Sequence, residues 1–171
     1  INLSLESLTN PYLREMTIKW LQDACLLVKT DFARVQFYTG AEGDKASLGF
    51  GKDDIAFPTA SLKNWLPDIY AITIFGKPYI DLFGRDKLLS SPCYKTEELF
   101  NGLIWLQLGE HIFDERGSKE SLKNVRQAVK AHLDKNAFFD PELPKDHKYN
   151  VPEFDLSEIR APIELPEEDS K

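Results

Sequence analysis

Three groups of residues in this 171-residue chain have types and spacings that could do chemistry. Glu110-His111-Ile112-Phe113-Asp114-Glu115 gathers one imidazole and three carboxylates into six residues. Such a run can hold a divalent ion, or let His111 act as a general base beside Asp114 and Glu115. A metal site usually draws its ligands from several elements, however, and a loop of this composition equally serves to stay solvated and cap the helix after it. The adjacent carboxylates Asp53 and Asp54 can share a site and split their pKa values, or present charge to a partner. Trp65, in an irregular stretch two residues before Pro67, has the character of an interface anchor if it stands at the surface beside acids.

No motif turns these groups into an activity. The chain lacks a GxSxG elbow, a GxxxxGK[ST] loop, an HExxH pair and a CxxC pair. Gly49-Phe50-Gly51 is a bare GxG, better explained by a turn or a close strand approach than by a dinucleotide. Of the other histidines, His132 lies on the apolar edge of a helical pattern and reads as packing, and His147 falls in a Pro-rich segment. The sequence therefore reads as non-enzymatic, with no catalytic set, no metal and no cofactor. Asp53, Asp54, Trp65, Glu110, His111, Asp114 and Glu115 are its candidates for contact with a partner. A small hydrolase or metal enzyme using His111, Asp114 and Glu115 is the alternative chemistry.

The elements that must position these residues follow from periodicity. Asn10-Pro11 reads as a helix start, and Leu13, Met16, Trp20, Ala24 and Leu27 recur as one apolar stripe to about Lys29. Ala33 to Thr39 alternates as a strand, and a polar turn at residues 40–45 leads to a second strand around Ser47 to Phe50, a hairpin. Residues 52–67 are irregular. Tyr70 to Phe75 is an apolar strand, Pro78 opens a short helix to Phe83 closed by Gly84, and Asp86 to Leu89 forms a further turn. Tyr94 to Phe100 and Leu103 to Leu108 flank Asn101-Gly102, a pair suited to a two-residue type I′ hairpin turn. Because both faces of Leu103 to Leu108 are largely apolar, that arm reads as a central strand covered on each side. A last helix starts near Ser118, with Leu122, Val125, Val129, His132 and Leu133 on its stripe. The order predicts an α+β fold, a mainly antiparallel sheet packed against an N-terminal and a C-terminal helix.

Charge divides the chain unevenly. The net charge is −7, from 21 Lys and Arg against 28 Asp and Glu. Residues 140–171 hold four bases and ten acids, so residues 1–139 are almost neutral at 17 against 18. The same final segment carries five of the ten prolines, which excludes a long helix or a central strand there. Its Tyr149, Val151, Phe154 and Ile159 suit an extended segment laid on the body by a few anchors. The reading is one α+β domain over residues 1–139 and a Pro-rich acidic extension over 140–171, partly packed on it. The acidic balance disfavours nucleic acid as a partner, and no apolar run approaches a membrane span of ~18 residues. Two cysteines, Cys25 and Cys93, make no disulfide framework. A cytoplasmic protein is the expectation, although a chain beginning at Ile1 is compatible with a removed signal peptide.

One stretch carries a resemblance. Trp65-Leu66, then Ile72-Thr73-Ile74-Phe75-Gly76, Pro78-Tyr79, Leu82-Phe83-Gly84 and Leu88-Leu89 lead into the hairpin ending Asn101-Gly102-Leu103-Ile104-Trp105-Leu106-Gln107-Leu108. This series, from Trp65 to Asp114, resembles bacterial immunity proteins of type VI secretion and polymorphic-toxin systems. The resemblance implies a non-enzymatic α+β protein that binds and blocks a cognate protein toxin, itself basic in many such pairs. A structural or protein-interaction module of a larger assembly is the alternative. The sequence leaves the oligomeric state and the binding face open.

Overall fold

The computed structural model describes residues 10–28, 30–35, 50–51, 54–55, 59–100, 102–110 and 119–154. The first helix, α1 (Pro11–Leu27), starts where capping chemistry places it. The Asn10 Oδ1 accepts hydrogen bonds from the Tyr12 and Leu13 N–H groups at 3.0 and 3.4 Å. After it come β1 (Phe32–Val35), β2 (Phe50–Gly51), β3 (Asp54–Ile55), a 3₁₀ turn (Thr59–Lys63) and β4 (Ile72–Phe75). Two short helices follow, α2 (Lys77–Phe83) and α3 (Arg85–Leu89), then β5 (Lys95–Glu98), β6 (Ile104–Gln107), α4 (Lys119–Leu133) and a 3₁₀ turn (Lys135–Ala137).

The main sheet is antiparallel throughout, in the order β1–β4–β6–β5, and β2 pairs with β3 in a separate ribbon. Its register puts Phe75 beside Phe32 and Ile104, and Thr73 beside Arg34 and Leu106, on one face. Ile72 and Ile74 share the other face with Val35, Ala33, Gln107 and Trp105. Every residue of β4 and β6 is buried. A central, doubly covered strand is therefore what the apolar run Leu103 to Leu108 becomes. Two of the polar side chains are satisfied inside: the Thr73 Oγ1 accepts from the Tyr70 N–H at 2.9 Å, and the Gln107 Nε2 donates to the Gly109 carbonyl at 2.9 Å. The Trp105 Nε1 is buried without a hydrogen-bond partner among the described residues.

Helices α2 and α3 lie on the Phe75 face. Phe75 meets Tyr79 and Phe83 at ring-centroid distances of 5.4 and 5.9 Å, and Phe32 meets Tyr79 at 5.6 Å. The Thr96 hydroxyl donates to the Leu89 carbonyl at 2.6 Å, tying α3 to β5. Gly84, at φ +87°, ends α2 and begins α3. Leu122, Val129 and Leu133 of α4 enter the same core as Cys25 of α1. The architecture is α+β, an antiparallel sheet packed with the N-terminal and C-terminal helices around one core.

Three local expectations change. The stripe Leu13, Met16, Trp20, Ala24 and Leu27 does not face the core. Leu13, Met16, Trp20 and Leu27 are 41, 52, 50 and 85% exposed, and α1 packs instead through Ile18, Leu21, Cys25 and Leu26. Both arcs of the helix are apolar, and periodicity does not choose between them. The β5–β6 connection is not the two-residue type I′ turn. The Leu99 N–H donates to the Leu103 carbonyl and the Gly102 N–H to the Leu99 carbonyl, so three residues separate the last pair, with Gly102 at φ +77°. This is the three-residue hairpin that places glycine in the left-handed region. The expected hairpin after β1 falls mostly outside the described residues. Those described pair β1 with β4, and Phe50 with Ile55. Finally, the stretch expected to be irregular contains β3 and the 3₁₀ turn.

Substitutions at two glycines and one buried phenol would test this packing. A Cβ on Gly76 would stand well inside contact distance of the Thr30 carbonyl and 2.8 Å from Asp31 Cα, whereas one on Gly102 meets nothing within 4 Å. In urea denaturation Gly76→Ala should cost about 2–3 kcal/mol through overpacking. Gly102→Ala should cost only the left-handed backbone penalty of about 1–2 kcal/mol. The Tyr79 hydroxyl is buried without a hydrogen-bond partner among the described residues. Burial, reinforced by the charge of Asp31, pushes its phenol pKa upward. Its contribution is therefore intact below the unfolded tyrosine pKa of about 10 and is lost as pH rises beyond it. Tyr79→Phe should match or exceed the wild type in stability at neutral pH, by up to about 1 kcal/mol. Its stability should fall less steeply in alkaline melts.

Candidate partner-binding surface

A single bridge builds the surface that holds Trp65. The Leu66 N–H donates to the Ala137 carbonyl at 2.8 Å, and the Phe139 N–H donates to the Leu66 carbonyl at 2.7 Å. Leu66 and Phe138 thereby pair in parallel, both 1% exposed. Successive side chains in extended backbone point to opposite sides, so the neighbours Trp65 and Phe139 turn outward together. Their rings meet at 4.7 Å, tilted by 39°. Inward, Phe138 stacks on Phe83 at 6.3 Å with the planes 10° apart.

The chain after Phe139 extends this pair into a ladder. Tyr149 lies 6.4 Å from Phe139, and His147 meets Tyr149 edge-on at 4.6 Å. All four rings are half-buried. Asn136 is the clasp that holds the returning chain. Its side-chain amide donates to the Lys148 carbonyl at 3.3 Å, so its Oδ1 is the acceptor and the His147 Nε2 the donor across 2.6 Å. The Asn136 carbonyl accepts from the Asn150 N–H at 3.0 Å, and the Asn150 amide donates to Asp134 at 2.5 Å. The Tyr149 hydroxyl donates to the Asp140 carbonyl at 3.3 Å. Beyond the clasp Pro152 is buried, and Phe154 meets Tyr79 edge-on at 6.0 Å. Residues 140–154 therefore lie against the body through Tyr149, Pro152 and Phe154. The exposed carboxylates Asp140, Glu142 and Asp146 rim the ladder, interspersed with exposed Lys145 and Lys148.

The other sequence candidates lie elsewhere. Asp54 is in β3, and Glu110 is exposed just beyond β6. Asp53, His111, Asp114 and Glu115 lie outside the described residues. Trp65 is half-buried against Phe139 rather than standing free of the body. Sequence reasoning missed Phe139, Tyr149 and His147 as its companions. The Phe138-Phe139 doublet was the available signal, since one ring of an extended pair must face away from the core.

Among the described residues, no group of three or more His, Cys, Asp or Glu side chains is placed to hold a metal ion. His132 ties α4 to α3 through polar contacts: its Nε2 lies 2.9 Å from the Lys87 carbonyl and 3.3 Å from the Ser90 hydroxyl. A carbonyl only accepts, so this nitrogen carries a proton and is no base for Ser90. Burial pushes the Cys25 and Cys93 thiols up, away from the thiolate form that reacts. Among the described residues, no helix is long and apolar enough to cross a membrane. Comparison of the chain with protein-family models, curated proteins and solved structures found no match.

The clasp can be tested directly. Asn136→Ala should cost about 1–2 kcal/mol in thermal or urea melts. It should also speed protease cleavage between residues 140 and 154. Lys145→Ala, an exposed control in the same segment, should leave both unchanged.

Proposed function

We propose that this chain is a non-enzymatic binding protein, an immunity-type inhibitor that neutralises a cognate bacterial toxin by covering its working surface. The observation that supports the reading is the ladder of Trp65, Phe139, Tyr149 and His147, four half-buried rings held in place before any partner arrives. Aromatic side chains set in fixed positions supply large contact area at little cost in ordering, which is how binding hot spots are built. The rim acids Asp140, Glu142 and Asp146 and the net charge of −7 favour encounter with a basic partner. The nearly even mix of charges at the ladder leaves the rings as the main source of affinity.

The test is titration of the purified chain against the protein encoded by its neighbouring gene. Binding is expected, and Trp65→Ala should weaken it by roughly 30-fold or more, as truncation of a hot-spot tryptophan does. The rim charge plays a smaller part, so Glu142→Lys should act mainly on the association rate and its salt dependence. Absence of binding, or a Trp65→Ala variant that binds as well as the wild type, overturns the reading. One observation favours the second reading, an interaction module of a larger assembly: the outward apolar face of α1, with Tyr12 and Trp20 at 67 and 50% exposure.

A further inference from the structure

We infer that the outward face of α1 is the contact between two copies of this chain, packed antiparallel about a two-fold axis at the level of Leu21. This deepens the interaction-module reading and is independent of the aromatic ladder. At about 100° per residue, Tyr12, Leu13, Met16, Trp20 and Leu27 fall within one arc of about 100°. Ile18, Leu21 and Cys25, which face the core, lie on nearly the opposite side. Tyr12, Met16, Trp20, Ala24 and Val28 form a continuous row at spacing four, the ridge with which helices interdigitate. Of these, Tyr12, Met16, Trp20 and Val28 are exposed.

The charges beside the ridge choose the occupant. Helix α1 carries Arg14 and Lys19 against Glu15 and Asp23, a net charge of zero, so it neither attracts nor repels a strongly charged partner. Lys19 and Asp23 flank the same edge of the ridge and lie 3.0 Å apart as an exposed ion pair. Two antiparallel copies overlap over nearly the whole row from Tyr12 to Val28 when the axis passes near the level of Trp20 and Leu21. A two-fold axis of this kind brings each flank against the same flank of the other copy. In that register Lys19 of each copy faces the partner's Asp23, twice per dimer, and the Trp20 rings meet at the centre. One register thus satisfies the apolar overlap and the charges together.

Sedimentation equilibrium of the full chain tests this. The wild type should dimerise, and Trp20→Ala should be monomeric at the same concentration. Lys19→Glu sets two acids against each other and Asp23→Lys two bases, so each variant alone should self-associate at least ~10-fold more weakly. Mixed in equal amounts, these two variants should recover wild-type association, because the heterodimer restores opposite charges at both contacts. Circular dichroism establishes that each variant is folded; both positions are exposed, and charge-neutral Lys19→Gln with Asp23→Asn provides a second pair expected to weaken association without the mixing rescue. A wild type that stays monomeric at its highest soluble concentration overturns the inference. So does dimerisation that ignores the single charge reversals or is not restored by mixing. None of these outcomes touches the Trp65 titration, so the two proposals fail separately.

Discussion

Burial of β4 and β6 on both faces is the constraint on which the rest of this structure depends. All eight of their residues are buried, and unpaired backbone in such a place would be costly. Each strand is therefore flanked by others, β1 outside β4 and β5 outside β6, and each face is covered. The Phe75 face takes α2 and α3 through Phe32, Tyr79 and Phe83, a set of rings that fills the space beneath the sheet. At the edge, β5 carries Lys95, Glu97 and Glu98, charges that suit a strand with solvent on one side. An ion pair from Arg85 to Glu98 joins this edge to α3 and lowers the Glu98 pKa.

The candidate surface is a by-product of how this core closes. Phe138 stacks on Phe83 from the far side, and its pairing with Leu66 brings two distant segments into one extended bridge. Alternation then leaves Trp65 and Phe139 no direction but outward. The chain leaving Phe139 cannot form a long helix, because Pro141, Pro144 and Pro152 interrupt it. It turns back on the Asn136 clasp and adds Tyr149 and His147 to the same surface. The proline-rich composition and the ladder thus have one cause: an extended chain needs side-chain anchors in place of its own helical hydrogen bonds.

Much of the fold was legible in the residues. Asn10-Pro11 marks the start of α1, Pro78 and Gly84 bracket α2, and the stripe Leu122, Val129 and Leu133 enters the core. These are local signals whose physics acts within a few residues. The apolar run through Ile104 to Gln107 marked a central strand because both of its faces are apolar. The α1 orientation was less legible, since Met16 and Trp20 look as core-like as Ile18 and Leu21. The turn at Gly102 differed for a similar reason: a glycine suited to positive φ fits a two-residue or a three-residue loop, and strand register decides which.

By itself, the sequence determined the types of the main described helices and sheet strands, the antiparallel α+β class and the separation of a nearly neutral body from an acidic Pro-rich end. Caps, periodicity and proline act through neighbouring backbone, so they are written in short windows. Only the tertiary structure decided which face of α1 is covered, that Leu66 meets Phe138, and that Trp65 joins Phe139, Tyr149 and His147. Those outcomes depend on contacts between residues far apart in the chain, where competing apolar surfaces are chosen by fit.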